Sequence, residues 1–368
     1  MSDEHPPQEP SVVLELSRRK TSAAVRESLV GARRVAAPYV TMTRIALAHL
    51  GRDRVARAGA LVLACLALVA VFADLLASDE PVACRRHGVV YVLPDVTHPP
   101  ALAGLDVAAL RRDGAPGDWV IPPLVAHGPT EVGSEAEAML PPLSAGHPLG
   151  TDALGRDLFA RVVHGARTAL GLGLGASLVL VAIGVILGGL AGFAGGVIDS
   201  LVSRAVESLT AIPTLVLVLV VGALVPHPTT ATLLWTIALT RWTELARLVR
   251  AEVLRGLGED YATAARALGA SPARVLLRHV MPNAVGPAIV AAAFGVASVV
   301  LIEAAVDFLR VGWPDTMASW GEAMGEARAS AGAWWLIVFP GGALLATLVS
   351  LNLVGEAARD ALDPKMRA

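Results

Sequence analysis

Apolar residues along this chain come in long, nearly unbroken runs, and the charges collect in the stretches between them. About 20 apolar residues in a row make a helix long enough to cross roughly 30 Å of hydrocarbon. Six such runs are present. The first covers 58–77, including GALVLACLALVAVFADLLA, and the second covers 168–194. The third covers about 209–225, with Pro213 near its start. The fourth begins near Thr230 and passes Trp242, the fifth covers 284–309, and the sixth about 334–354. The pattern predicts an all-α polytopic membrane protein with about six transmembrane helices. Asp74 falls near the end of the first, where a charge reaches the interface.

The polar stretches differ in kind. Residues 1–57 form an arginine-rich tail, read either as a solvated tail or as carrying a surface helix over its second half. The first apolar run starts more than 50 residues in, which predicts a retained span and not a signal peptide. Residues 78–146 are proline-rich and acidic, with a short β-like run at Val89–Leu93, and read as an irregular extramembrane loop domain. Residues 147–167 (HPLGTDALGRDLFARVVHGAR) predict an amphipathic elbow helix capped by Thr151 or Asp152. The span 168–355 reads as a membrane core interrupted by a polar loop at 256–283, and 356–368 as a second tail.

Charge fixes the expected orientation. With both termini on one side, that side holds 21 Lys and Arg against 9 on the other. The positive-inside rule therefore predicts both termini and the 256–283 loop in the cytoplasm, with 78–146 extracytoplasmic. The composition agrees with a membrane class: 54% hydrophobic, 17% charged, mean hydropathy +0.60. A basic stripe or aromatic interleaving for nucleic acid is absent, and the net charge of -2 carries no message. Cys65 and Cys84 lie in and just beyond the first apolar run, so a disulfide between them is not expected.

Two features inside the core stand out. Gly184, Gly188, Gly192 and Gly196 recur every four residues, a row that lets a neighbouring helix approach closely in lipid. Glu303 and Asp307 lie one turn apart in the fifth run. For these carboxylates two readings stay open: an interfacial pair with Arg310, or, for Glu303, a face on an aqueous translocation cavity. Chemistry is otherwise sparse. No phosphate-binding loop, nucleophile elbow, CxxC or HExxH occurs, and His147, His164, His227 and His279 stand apart from one another. No catalytic or metal-ligating residue is assigned, which disfavours an enzyme.

The polar interruption at Glu259–Val290 is the most informative stretch. An Ala-rich helix runs to Leu268 and breaks at Gly269, and Ser271-Pro272 starts a second helix carrying Arg274, Arg278 and His279, which meets Pro282. This is a docking element on the basic side of the membrane.

Its sequence resembles the cytoplasmic coupling loop of inner-membrane permease subunits of binding-protein-dependent ABC importers, the dipeptide, oligopeptide and nickel group, C-type subunit. The residues that carry the likeness are Tyr261 with AARALGAS and RHVMPNA, joined by HPLGTDALGRDLFARVVHGAR, SWGEAM at 319–324 and the ending from Phe339. Thr263 departs from the wider motif, and Asp307, Arg310 and Trp313 from the residues usual after Glu303. The resemblance implies a type I importer permease fold in a bacterial inner membrane, and a coupling role for Tyr261, Ala264, Ala265, Arg266, Gly269, Ala270, Ser271, Pro272, Arg278 and Pro282. It implies as partners a second homologous permease, two ABC ATPase subunits and an extracytoplasmic binding protein. ATP and Mg would reside in the ATPases, with no cofactor in this chain. The expected cargo is di- or oligopeptide, with nickel or another small solute as the alternative. An ion-coupled secondary transporter is the rival class and would require inverted repeats and more midplane charge.

Overall fold

The computed structural model describes residues 53–309, 318–330 and 332–362. The expectations for most of the N-terminal tail, for Arg310 and Trp313, and for the last six residues lie outside this set. Ten helices are labelled here: α1 Arg54–Val71, α2 Leu158–Ala194, α3 Gly196–Thr210, α4 Thr214–Leu224, α5 Thr230–Gly258, α6 Asp260–Ala267, α7 Pro272–Val275, α8 Met281–Leu309, α9 Trp320–Glu326 and α10 Trp335–Leu362. Among the described residues, four helical stretches are long and apolar enough to cross a membrane: α1, α2, 272–309 and α10. The bent pair α3–α4 makes a fifth when taken as one span. Helix α5 is long enough but carries Arg241, Glu244, Arg247 and Arg250 through its middle.

Several boundaries differ from the sequence expectation for physical reasons. The first helix starts at Arg54, capped by the Asp53 side chain, and stops at Val71, with a further turn at Ala73–Leu76. The predicted elbow helix does not form. Asp152 spends its carboxylate on the N–H groups of Leu154 and Arg156, and Gly155 takes φ +72, so 147–157 is irregular chain. Asp157 caps the helix instead, accepting from Ala160 N at 2.8 Å, and residues 158–167 are the first turns of a single 37-residue helix. At about 55 Å, α2 outruns the bilayer.

The predicted third span at 209–225 is likewise redrawn. Asp199, Arg204 and Glu207 lie in the amphipathic α3. The chain breaks at Ala211–Pro213, where proline disfavours helix in the residue before it, and α4 leaves at 81°. Its 11 residues reach only about 16 Å. Asp199 ties α3 to α5 through a two-pronged pair with Arg250, at 2.5 and 2.6 Å.

Helices α2 and α5 run side by side, and the glycine row explains how. A Cβ on Gly184 would sit 2.8 Å from Leu245 Cβ, one on Gly192 would sit 2.9 Å from Arg250 O, and one on Gly188 would strike the Ala246 backbone. Gly196 is a correction. It lies beyond the end of α2 at φ +55 with open space around it, so the row has three packing members. Their face belongs to the main core, with Leu180, Ile237, Trp242, Val249 and Val253.

Residues 78–146 build more than an irregular loop. Strands β1 Ala83–Arg86, β2 Val89–Val92 and β3 Trp119–Ile121 form an antiparallel sheet in the order β2-β1-β3. Cys84, Leu102 and Leu110 make its small core. Cys65 is exposed and Cys84 buried, and both are free thiols. Arg167 anchors α2 to the end of α1, its Nε donating to Ala70 O at 2.9 Å and its guanidinium pairing with Asp74 of the following turn at 2.8 and 2.9 Å.

The glycine contacts are testable. Gly188→Ala should lower stability by about 1–3 kcal/mol, because the methyl has nowhere to go. Gly171→Ala, in open space on the same helix, should leave it unchanged or slightly raised. Thermal melts of the two variants in detergent will separate them.

Candidate functional site

Two polar constructions lie at opposite ends of the helix bundle. The first is the loop between α5 and α8. Ala262 is fully buried at the root of α6, and Tyr261 places its hydroxyl beside Gly256, where a Cβ would come within 2.9 Å of it. Helix α6 ends as its sequence requires. Gly269 takes φ +84, Ala270 N donates to Ala265 O at 3.0 Å, and Gly269 N to Arg266 O at 3.0 Å. Those paired bonds are the glycine-terminated helix stop that satisfies the last carbonyls. Ser271 adopts extended backbone and Pro272 opens α7, although the Ser271 hydroxyl makes no capping bond.

The second half of the loop runs through Pro282 without a break. The chain passes from α7 through a π-helical turn, Leu276–Val280, directly into α8. A proline has no N–H and its ring collides with the carbonyl four residues back, and the wider π turn makes room for it. Val275, Leu276 and Val280 are buried against the core, while Leu277 and Arg278 face outward.

Of the residues assigned to coupling, Ala264, Arg266, Gly269, Ser271, Pro272 and Arg278 are exposed, and Tyr261, Ala265, Ala270 and Pro282 are half-buried supports. Arg266, although exposed, folds back along the loop, its Nη2 donating to Leu257 O at 2.9 Å and to Thr263 Oγ1 at 3.1 Å. It braces α6 against α5. The residues that sequence reasoning missed are Leu268, 89% exposed at the tip, and Leu277 in the π turn, 69% exposed.

The opposite end carries a buried charge cluster. Helix α9 has six of its seven residues buried. It lies on α8 so closely that a Cβ on Gly325 would meet Phe308 O at 2.7 Å, and one on Gly321 would run into the Ala304 backbone. Trp320 Nε1 donates to Val162 O on α2 at 2.9 Å, and its indole fills the space left by Gly165. Glu303 belongs here. It is fully buried and accepts from Ser319 Oγ at 3.0 Å, and Ser319 Oγ accepts from Gly321 N at 3.1 Å. Among the described residues Glu303 therefore faces the start of α9. Asp307 lies one turn further along α8, half-buried.

Glu322 and Glu326 of α9 meet the irregular segment before α2. Arg156 Nε donates to Asp152 Oδ2 at 2.7 Å, and its Nη2 reaches Glu322 Oε1 at 3.3 Å and bonds Glu326. Arg161 Nη1 donates to Asp152 Oδ2 at 2.5 Å and to both Glu326 oxygens at 3.0 Å, and its Nη2 lies 3.0 Å from Glu322 Oε2. All five side chains are at most 7% exposed. Burial alone would lift the Asp152 carboxyl, but Arg161 and Arg156 outweigh it and hold it below its usual range. Burial also lifts Glu326, and there it prevails over the pull of Arg161. Sequence reading placed Arg156, Asp157 and Arg161 on a surface helix. It found both partner stretches, 147–167 and 319–324, without finding that they touch.

Histidines finish this end. His147 Nδ1 pairs with Asp157 Oδ2 at 2.9 Å, His127 stacks on His147 at 4.6 Å, and His127 Nδ1 lies 3.5 Å from Glu131. His164 Nε2 bonds Ala77 O at 2.8 Å. Among the described residues no group of His, Cys, Asp and Glu is placed to hold a metal ion.

Residues 184–368 match the family model described as binding-protein-dependent transport system inner membrane component. The chain belongs to this family. The match takes in the basic loop, α8, α9 and α10, and leaves the 78–146 domain outside. Oligopeptide transport system permease protein OppC of Bacillus subtilis (strain 168) is 36% identical over 227 residues, 61% of this chain and 74% of that protein. Dipeptide transport system permease protein DppC of the same organism is 37% identical over 236 residues, 64% of this chain and 73% of its own length. Di/tripeptide transport system permease protein DppC of Pseudomonas aeruginosa (strain UCBPP-PA14) is 37% identical over 220 residues, 60% of this chain and 72% of that protein.

Electrostatics at the histidine pair give a signed prediction. Glu131 raises His127, and His127 in turn lowers Glu131. The histidine's share of stability is complete below its ordinary 6.5 and is lost as pH rises through its higher folded value. The glutamate's share is complete above its ordinary 4.5 and is lost as pH falls through its lower folded value. The pair therefore supports the fold most between those two pH values. His127→Gln should lower the melting temperature at pH 5.5 and have less effect at pH 8.5, a small difference because both side chains are partly exposed.

Proposed function

We propose that this chain is one of two permease subunits lining the pathway of an ATP-driven importer for di- or oligopeptides. The permease role follows from family membership, and the peptide cargo is supported by the names its relatives carry. In this reading the 256–283 loop faces the cytoplasm and docks on ATPase subunits, which bind ATP and Mg. The 78–146 domain faces outward, where a binding protein delivers substrate. The charge count of 21 against 9 favours that orientation.

The observation that carries the proposal is the shape of the loop. Two buried anchors, Ala262 and Val275, hold a tip on which Leu268 stands clear of the chain. A small protein surface with an apolar tip on rigid roots suits insertion into a groove on a partner. Closure of the ATPases around ATP would displace that tip, and α8, continuous with it through the π turn, would carry the displacement into the membrane. ATP binding supplies the energy, because it binds the two states with different affinity. The bond that Glu303 accepts from Ser319 supports the importer reading over an ion-coupled transporter that would use this carboxylate at its midplane.

The purified complex tests this. Gly269→Arg forces a side chain onto a left-handed backbone, and Leu268→Asp charges the tip. Both should cut binding-protein-stimulated ATP turnover at least tenfold while the chain remains in the membrane. Stimulated turnover preserved in both variants would remove the loop from the coupling path. Mass spectrometry of the ligand retained by the cognate binding protein should return short peptides, and a nickel complex or other small solute there would reassign the cargo.

A further inference from the structure

The charge cluster at the far end from the loop has no part in the function proposed so far. It contains two guanidiniums and three carboxylates, all removed from solvent. Stability alone is a poor reason for such a group, because well-packed apolar residues often serve as well or better. Ion pairs become useful where a contact must hold one arrangement and release it in another, since their geometry is either met or lost.

The surroundings fit that use. On one side, the segment 147–157 is stitched to the sheet-bearing domain's last stretch. Met139 N donates to Asp152 O at 2.9 Å, Thr151 N to Leu140 O at 3.0 Å and Gly133 N to Leu154 O at 3.1 Å. The Thr151 hydroxyl donates to Glu137 O at 2.5 Å and accepts from Leu140 N at 2.8 Å. On the other side, α9 is locked to α8 by its glycines and by the Ser319–Glu303 bond, and to α2 by Trp320. Trp335, at the start of α10, donates to Thr151 O at 3.0 Å. The cluster is therefore the polar joint at which the 78–146 domain meets three long helices, α2, α8 and α10. Arg161 is central to it. It sits in the first turn of α2, touches Asp152 before the helix, and touches both glutamates of α9.

We propose that Arg161, with Arg156, is a positioning residue for transport: through Asp152, Glu322 and Glu326 it sets α9 against α2 and transmits to the membrane helices the arrival of loaded binding protein at the 78–146 domain. This rests on the permease reading above. The pathway end bordered by α9 stays closed while the five charges are engaged. Docking on the domain shifts 147–157, disengages the glutamates, and frees α9 to move with α8.

The test uses the full complex of both permeases, the ATPases and the cognate binding protein, in lipid nanodiscs. The binding protein is used as purified, with the ligand it carries. The readout is the ratio of ATP turnover with and without binding protein. Arg161→Gln leaves one guanidinium against three carboxylates, whereas Arg161→Gln with Glu326→Gln restores the original excess of one negative charge. The single variant should lose at least fivefold of the stimulation ratio with basal turnover retained, and the double variant should recover at least half of it. Arg161→Gln with a ratio within twofold of the parent would overturn the proposal. So would a proportional loss of basal and stimulated turnover that the double variant does not repair, since that marks a purely structural role. If Arg161→Gln fails to assemble, Glu326→Gln alone decides: a lowered ratio at constant basal turnover supports the joint, and an unchanged ratio overturns it. Failure of the permease reading is distinguishable, because Leu268→Asp would then also leave stimulated turnover intact.

Discussion

Close backbone approach between α2 and α5 is the constraint on which the rest of this protein depends. In hydrocarbon a helix gains nothing by leaving water, so association falls to packing and to hydrogen bonds. Gly184, Gly188 and Gly192 remove the side chains that would hold the two helices apart. With that contact made, α5 has a fixed support along its charged length, and Asp199 reaches Arg250 to bring α3 onto the same pair. The loop that follows α5 is then held at a defined height, with Ala262 and Val275 buried against the same core.

The same device recurs at the other end with different partners. Gly321 and Gly325 set α9 on α8, and Gly165 admits the Trp320 ring from α9 to α2. Around these contacts the chain places its few buried charges. The two ends are linked by α8, which begins at the π turn below the loop and carries Glu303 beneath α9. One helix thus connects the surface assigned to ATPase docking with the joint that meets the 78–146 domain, and a shift of α8 reaches both.

Much of this was legible in the sequence, and the failures have identifiable causes. Apolar runs located the long helices because hydrocarbon demands length and apolarity and little else. Gly269 announced the helix stop through the left-handed backbone only glycine adopts cheaply. The third span misled because Pro213 splits a run that hydropathy alone reads as continuous. The elbow helix misled because Asp152 is by type a plausible cap, and only the fold shows its carboxylate engaged with Arg156 and Arg161. Gly196 shared the spacing of the row but fell past the end of α2. The charge cluster was hidden for a deeper reason: Arg161 and Glu326 are 165 residues apart, and periodicity reports only neighbours. The sheet of 78–146 was half visible, as Val89–Val92 read as a strand while β1 carries two arginines and β3 has only three residues.

The central claim is that the α6–α7 tip is the surface that meets the ATPase. Site-directed cross-linking from the tip tests it most directly. With Cys65 and Cys84 replaced by serine and Leu268→Cys introduced, a short thiol-reactive cross-linker should join this chain to an ATPase subunit in native membranes. A Leu178→Cys control, exposed on the membrane-spanning length of α2, should not form that adduct. Labelling of the thiol introduced at the tip by a membrane-impermeant reagent from outside intact cells, with no ATPase adduct, would contradict the account.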